Sequence, residues 1–168
     1  MVIVREARPE DADQLVAYVQ RIASEPGISI VLGAGEFDLS VEQEQQFLRD
    51  CAAADNGVYL VAEAEGQIVG LLVCQGGKRR AVRHAATLST SVAREWRNQG
   101  VGSALLARAI AWARGTGIVS RIELDVFARN QPAIHLYEKH GFEVEGRRKR
   151  AVYRDGEYHD NLVMALLL

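Results

Sequence analysis

Cysteine is scarce in this 168-residue chain, and Cys51 and Cys74 show neither CxxC spacing nor histidine neighbours. A zinc ribbon and a thiol redox motif are thereby excluded, and both residues read as reduced core thiols rather than disulfide partners. Long apolar runs are lacking too: none approaches the ~18 residues that cross a bilayer, and the opening MVIVREARPED turns polar too early for a signal peptide. Neither sign of charge dominates. With 20 Lys and Arg against 22 Asp and Glu, the net charge is −2 and the pI near 6.1, which gives no bulk electrostatic reason to expect nucleic acid or an anionic membrane as a partner. Repeats, low-complexity stretches and linkers are absent. One cytoplasmic domain over residues 1–168 is expected, its 48% hydrophobic content sufficient for a core without metal or disulfide staples.

What is there has clear punctuation. Val2-Ile3-Val4 opens as a strand, and Pro9 suits the first turn of the following helix, with Glu10, Asp11 and Asp13 near its positive end. Leu15, Val16, Val19 and Ile22 give that helix one apolar stripe, and Pro26-Gly27 ends it. Residues 28–37 read as a covering loop. Ser40 and Gln43 form a capping-box signature that opens a second helix to about Ala54. Residues 59–64 and 67–74 read as a hairpin around Glu65-Gly66, and residues 84–92 as another strand. A helix over 100–114 ends at Gly115 and Gly117, a strand follows over 121–127, and Asn130 caps a helix that stops at His140-Gly141. Two last strands, 142–154 and 157–167, flank Asp155-Gly156, the strongest hairpin signal in the chain. The order β α α β β β α β α β β predicts an α/β fold: one mixed, twisted sheet flanked by helices. Its hairpins give antiparallel pairs and its later strand–helix–strand units parallel ones.

The segment Arg97-Asn98-Gln99-Gly100-Val101-Gly102 stands where a strand turns into an alanine- and leucine-rich helix. Such a turn leaves backbone N–H groups unpaired at the positive end of a helix dipole and suits a phosphate. On the pattern alone, its glycines serve equally to let helix and strand pack closely. Two nucleotide motifs are excluded. Leu105 occupies the third small-residue position of a dinucleotide fingerprint, and no lysine follows Gly100 as a P-loop requires.

Further on, Asn130, Ala133-Ile134, Leu136-Tyr137-Glu138-Lys139 and Gly141-Phe142 make the run N-x-x-A-I-x-L-Y-E-K-x-G-F. Together with RNQGVG and the order of elements, it resembles the GNAT superfamily of acetyl-CoA-dependent N-acetyltransferases over nearly the whole chain. The resemblance implies that the amides of Asn98, Gln99, Gly100, Val101, Gly102 and Ser103 hold the coenzyme A pyrophosphate, with Arg97 lending charge or shaping the loop. Thr90, Ser91 and Val92 would pair their backbone with the pantetheine arm. Asn130 would bond the cofactor, cap its helix, or both. Tyr137, two helical turns on and sharing its face, would protonate the departing thiolate; the alternative is a core aromatic satisfied elsewhere. For the base, the resemblance points to Asp125, which shares a strand face with Glu123. His84 through water and an ordered water alone remain open, while Thr87 departs from relatives that carry a carboxylate on that strand.

The reaction implied is transfer of an acetyl group from acetyl-CoA, as co-substrate, to a primary amine of a small molecule or protein N-terminus. It would proceed by direct attack in a ternary complex, with no metal. A non-catalytic acyl-CoA sensor is the alternative. Residues 28–37 and the last hairpin are expected on the acceptor side, and a homodimer is open. Arg147 to Arg150 read as a solvated face, Trp96 and Trp112 as packing, and Asp160 as either a substrate contact or a hairpin pin.

Overall fold

A computed structural model describes residues 1–168. The strands are β1 (Val2–Glu6), β2 (Gly57–Ala64), β3 (Gln67–Gly76), β4 (Ala85–Val92), β5 (Arg121–Phe127), β6 (Glu143–Arg154) and β7 (Glu157–Leu167). The helices are α1 (Ala12–Ala23), α2 (Val41–Ala53), α3 (Val101–Thr116) and α4 (Gln131–Lys139). One tight turn, Pro9–Asp11, leads into α1. The seven strands form a single sheet in the order β1-β2-β3-β4-β5-β7-β6. The local signals hold. Ser40 Oγ accepts from the Gln43 N–H (3.2 Å) while Gln43 Oε1 accepts from the Ser40 N–H (2.8 Å), closing the capping box of α2. Gly115 is absorbed into α3, and Gly117 ends that helix at φ +66°.

Parallel pairing is narrower than the strand–helix–strand order predicts. β4 and β5 pair in parallel, but β5 and β6, which run the same way, are separated by β7. The cause is the Asp155-Gly156 turn: both residues have positive φ (54° and 80°), a two-residue turn that folds β7 straight back and inserts it beside β5.

Alternation along the strands sends apolar side chains to both faces of the sheet. Ile122, Leu124 and Val126 of β5 pack with Leu105, Leu106, Ala109 and Ile110 of α3 and with Ile134 and Tyr137 of α4. On the other face Leu15, Tyr18, Ile22 and Leu48 of α1 and α2 cover Tyr59, Val61, Ile68 and Leu71. Cys51 and Cys74 are both free and buried, one in each of these two layers, so the sheet lies between them. No helix is long and apolar enough to cross a membrane.

One irregularity positions everything that follows. The β4–β5 ladder contains only Ala85↔Arg121, Ala86↔Ile122 and Thr87↔Glu123. Beyond Thr87, β4 remains paired to β3 as far as Val92, and beyond Glu123, β5 remains paired to β7 as far as Phe127. Two parallel strands thus part at a fork, each keeping its outer partner and leaving its inner edge open.

Candidate active site

β4 leads through Arg94–Trp96 into the glycine turn, where Asn98 (φ +59°) and Gly100 (φ +83°) both adopt left-handed backbone. The N–H groups of Asn98, Gln99, Gly100, Val101, Gly102 and Ser103 find no acceptor in the protein; the next, Ala104, donates to the Gly100 carbonyl at 3.0 Å. Six consecutive free amides at the start of a sixteen-residue helix make an anion cradle. The two glycines serve it differently. Gly100 has open space around it but needs its positive φ, whereas a Cβ on Gly102 would stand 3.0 Å from Leu136 Cδ2 of α4. Gly100 thus meets the conformational demand of the turn, and Gly102 the demand for close packing against α4.

Arg97 shapes this loop: its Nε donates to the Val92 carbonyl (2.8 Å) and its Nη2 to Glu25 Oε2 (2.5 Å). Thr90 Oγ1 donates to the Leu71 carbonyl (2.8 Å) and Ser91 Oγ bonds Tyr18 Oη (3.1 Å), so both side chains are engaged while the inner backbone edge of β4 stays open. Ser103 Oγ lies 2.8 Å from His140 Nε2. Burial and the neighbouring Lys139 lower the His140 pKa, which favours the neutral ring.

Asn130 caps α4 by accepting from the Ala133 N–H (3.3 Å), and its amide nitrogen has no acceptor within the protein. Tyr137 is 7% exposed and packs on Phe142 with ring centroids 5.7 Å apart. Its hydroxyl has no partner in the protein, yet it is not sealed from the surface. Burial pushes the phenol up to about 12. Asp125 faces away from Tyr137, across the sheet with Glu123; it is 46% exposed, with Arg148 Nη2 at 2.6 Å. His84 sits at the closed end of the fork, its carbonyl accepting from Ser120 (3.0 Å) and Arg121 (3.1 Å).

Three participants carry no local sequence signal. Glu25 and His140 enter through partners 72 and 37 residues away. Arg154, at the tip of β6, donates to the carbonyls of Ile30 (2.8 Å), Leu32 (2.7 Å) and Ala23 (3.3 Å), holding the loop after α1 in place. Asp160 accepts from Arg147 Nε and from the Arg150 N–H, both at 2.8 Å, and so pins the final hairpin.

Together these features are an amide cradle, an open strand edge leading from it and a phenol without a protein partner. The chain matches the Acetyltransferase (GNAT) family over residues 16–142 and belongs to it. It is 37% identical to an acetyltransferase of the GNAT family from Streptococcus pneumoniae, with a TM-score of 0.96 over 100% of this chain and 99% of that one. It is 42% identical to the L-amino acid N-acetyltransferase AaaT of Escherichia coli over 106 residues, a match spanning 63% of this chain and 65% of that protein. The fold is shared with yncA of Salmonella typhimurium, whose structure is described with its cofactor acetyl-CoA (TM-score 0.87, 19% identity, 99% and 94% coverage).

Proposed function

We propose that this protein transfers the acetyl group of acetyl-CoA to the primary amine of a small molecule or a protein N-terminus, by direct attack in a ternary complex. The observation that carries this reading is the run of six free amides from Asn98 to Ser103, set beside the open inner edge of β4. Family membership, the L-amino acid acceptors in the name of AaaT and the acetyl-CoA carried by yncA support it.

Acetyl-CoA supplies an activated thioester. The six amides and the Ser103 hydroxyl would bind its pyrophosphate, and Arg97 keeps the cradle in shape from behind. The open backbone of Thr90, Ser91 and Val92 would bond the pantetheine arm as an added strand, with the free Asn130 amide nitrogen as a further donor. Tyr137 would give its proton to the departing sulfur. A phenol at about 12 stays fully protonated at neutral pH. It yields its proton only as negative charge builds beside it in the same dry pocket, where the sulfur's own proton affinity rises too. Asp125, on the opposite face of the open fork, would take the proton of the acceptor ammonium through a bridging water.

The test combines a melting scan with acetyl-CoA and a free-thiol assay on an amine panel. Stabilisation with turnover is expected. Failure of acetyl-CoA to stabilise the protein would overturn the reading, and stabilisation without turnover on any amine would make the chain a binding module instead.

A further inference from the structure

A cleft of about 510 Å³ opens on the face of the sheet opposite α3 and α4. Its floor is Thr87, Ser89 and Glu123, and one wall is the loop that carries Lys78 and Val82. Thr87 and Glu123 are also the last pair of the β4–β5 ladder, so this cleft sits directly on the fork. Resting on the acetyltransferase reading above, we infer that this cleft is the acceptor site. In it Glu123 binds the acceptor amine, and the cationic loop selects acceptors that also carry a carboxylate.

Glu123 has the free valence for this. Arg121 is already held by both oxygens of Glu145, at 2.8 and 2.5 Å, and draws on Glu123 through Oε2 alone, at 2.9 Å. Glu123 Oε1 is left without a partner, and the side chain is 38% exposed. Asp125, two residues on, has its charge engaged by Arg148 and does not line the cleft. The wall has the opposite sign. Of the basic residues between Lys78 and Arg83, only Arg83 meets a carboxylate, that of Asp55; Lys78, Arg79 and Arg80 have none. Of these three only Lys78 lines the cleft, and a carboxylate on the floor with the unneutralised Lys78 at the wall complements a molecule bearing both an ammonium and a carboxylate. This deepens the acceptor class from amines in general to amino acids and acidic peptides.

A second hollow, of about 360 Å³, lies under residues 24–34 and is a poorer candidate. Its three charged side chains all have partners: Glu25 bonds Arg97, Arg154 bonds backbone carbonyls, and Asp155 Oδ2 lies 3.5 Å from Arg154 Nε.

The inference is tested by steady-state kinetics on L-amino acids and their C-terminal amides, with acetyl-CoA melting shifts measured alongside. Glu123→Gln is expected to raise the acceptor KM tenfold or more while leaving the acetyl-CoA KM and melting shift unchanged. Lys78→Glu is expected to erase the preference for each amino acid over its amide. Thr87→Trp, which fills the cleft from an exposed strand position, is expected to abolish acceptor turnover and keep the acetyl-CoA shift. Unchanged acceptor kinetics in Glu123→Gln, or tolerance of Thr87→Trp, would overturn this inference alone. A wild-type protein that neither binds acetyl-CoA nor turns over would overturn the acetyltransferase reading with it.

Discussion

Tyr137 is buried except at its tip, and its hydroxyl bonds nothing in the protein, so removing that oxygen separates chemistry from stability. Tyr137→Phe is expected to lower kcat by roughly 10²-fold or more while changing stability by less than about 0.5 kcal/mol, because no hydrogen bond is lost. A variant that retains full rate would remove Tyr137 as the acid. Asp125→Asn should slow turnover about tenfold or more, with the steepest loss at acidic pH, where fewer acceptor molecules are deprotonated; full activity would remove Asp125 as the base. Glu44 offers a cleaner electrostatic test away from the site. It is 3% exposed and burial raises its carboxyl pKa, with a hydrogen bond to Tyr59 opposing that shift. A carboxyl raised on folding contributes stability that is complete below its unfolded pKa and is lost as pH rises through the folded one. Glu44→Gln is therefore expected to raise Tm at pH 7 and to leave it unchanged near pH 4. Denaturation scans at the two pH values check this, and a loss of stability at pH 7 would contradict it.

At the scale of elements, the turn between β4 and α3 shows how much of the site the sequence discloses. Gly100 needs φ +83°, and an alanine there is strained by about 1–2 kcal/mol, a few degrees of Tm. Gly100→Ala should lower Tm by that amount and weaken acetyl-CoA binding further, because relaxing φ turns cradle amides aside; isothermal titration separates the two effects. Devices that act within a few residues were legible: the capping box of Ser40 and Gln43, the Asn130 cap, the glycine turn and the Asp155-Gly156 hairpin. The insertion of β7 between β5 and β6 was not legible, because neighbour choice in a sheet is settled by packing of distant strands rather than by local pattern. Nor was the fork itself. Alternation in β5 placed Glu123 and Asp125 on one face, but only the end of the ladder at Thr87↔Glu123 distinguishes their surroundings. The same holds for Arg97: its residue type fitted either charge or scaffolding, and the scaffolding contact is made by a partner 72 residues away that no local pattern discloses.

At the scale of the whole molecule, the two ends of the chain are joined by one arginine. Arg154 donates to three carbonyls in and around the loop between α1 and α2, at sequence separations of 122 to 131 residues. Residues 24–40 contain no helix or strand, so the loop is held by side chains from elsewhere. Glu25 anchors its start through Arg97, and Arg154 anchors its middle. Charge-assisted hydrogen bonds of this kind contribute about 1.5–3 kcal/mol each where burial is substantial, but carbonyls in a surface loop regain water when released, so the net cost of losing them is smaller. Arg154→Ala is therefore expected to loosen the loop well before it unfolds the domain. Limited proteolysis should cut within residues 28–37 several-fold faster than in the wild type, while Tm falls only modestly. The acetyl-CoA melting shift should persist, because the Arg97–Glu25 pair still braces the cradle at the start of α3. If cleavage were no faster, the loop would owe its position to its own packing, with Ile28 and Ile30 lying against the layer of α1 and α2. If the acetyl-CoA shift were lost as well, loop and cradle would form a single cooperative unit, and the two anchors would not act independently.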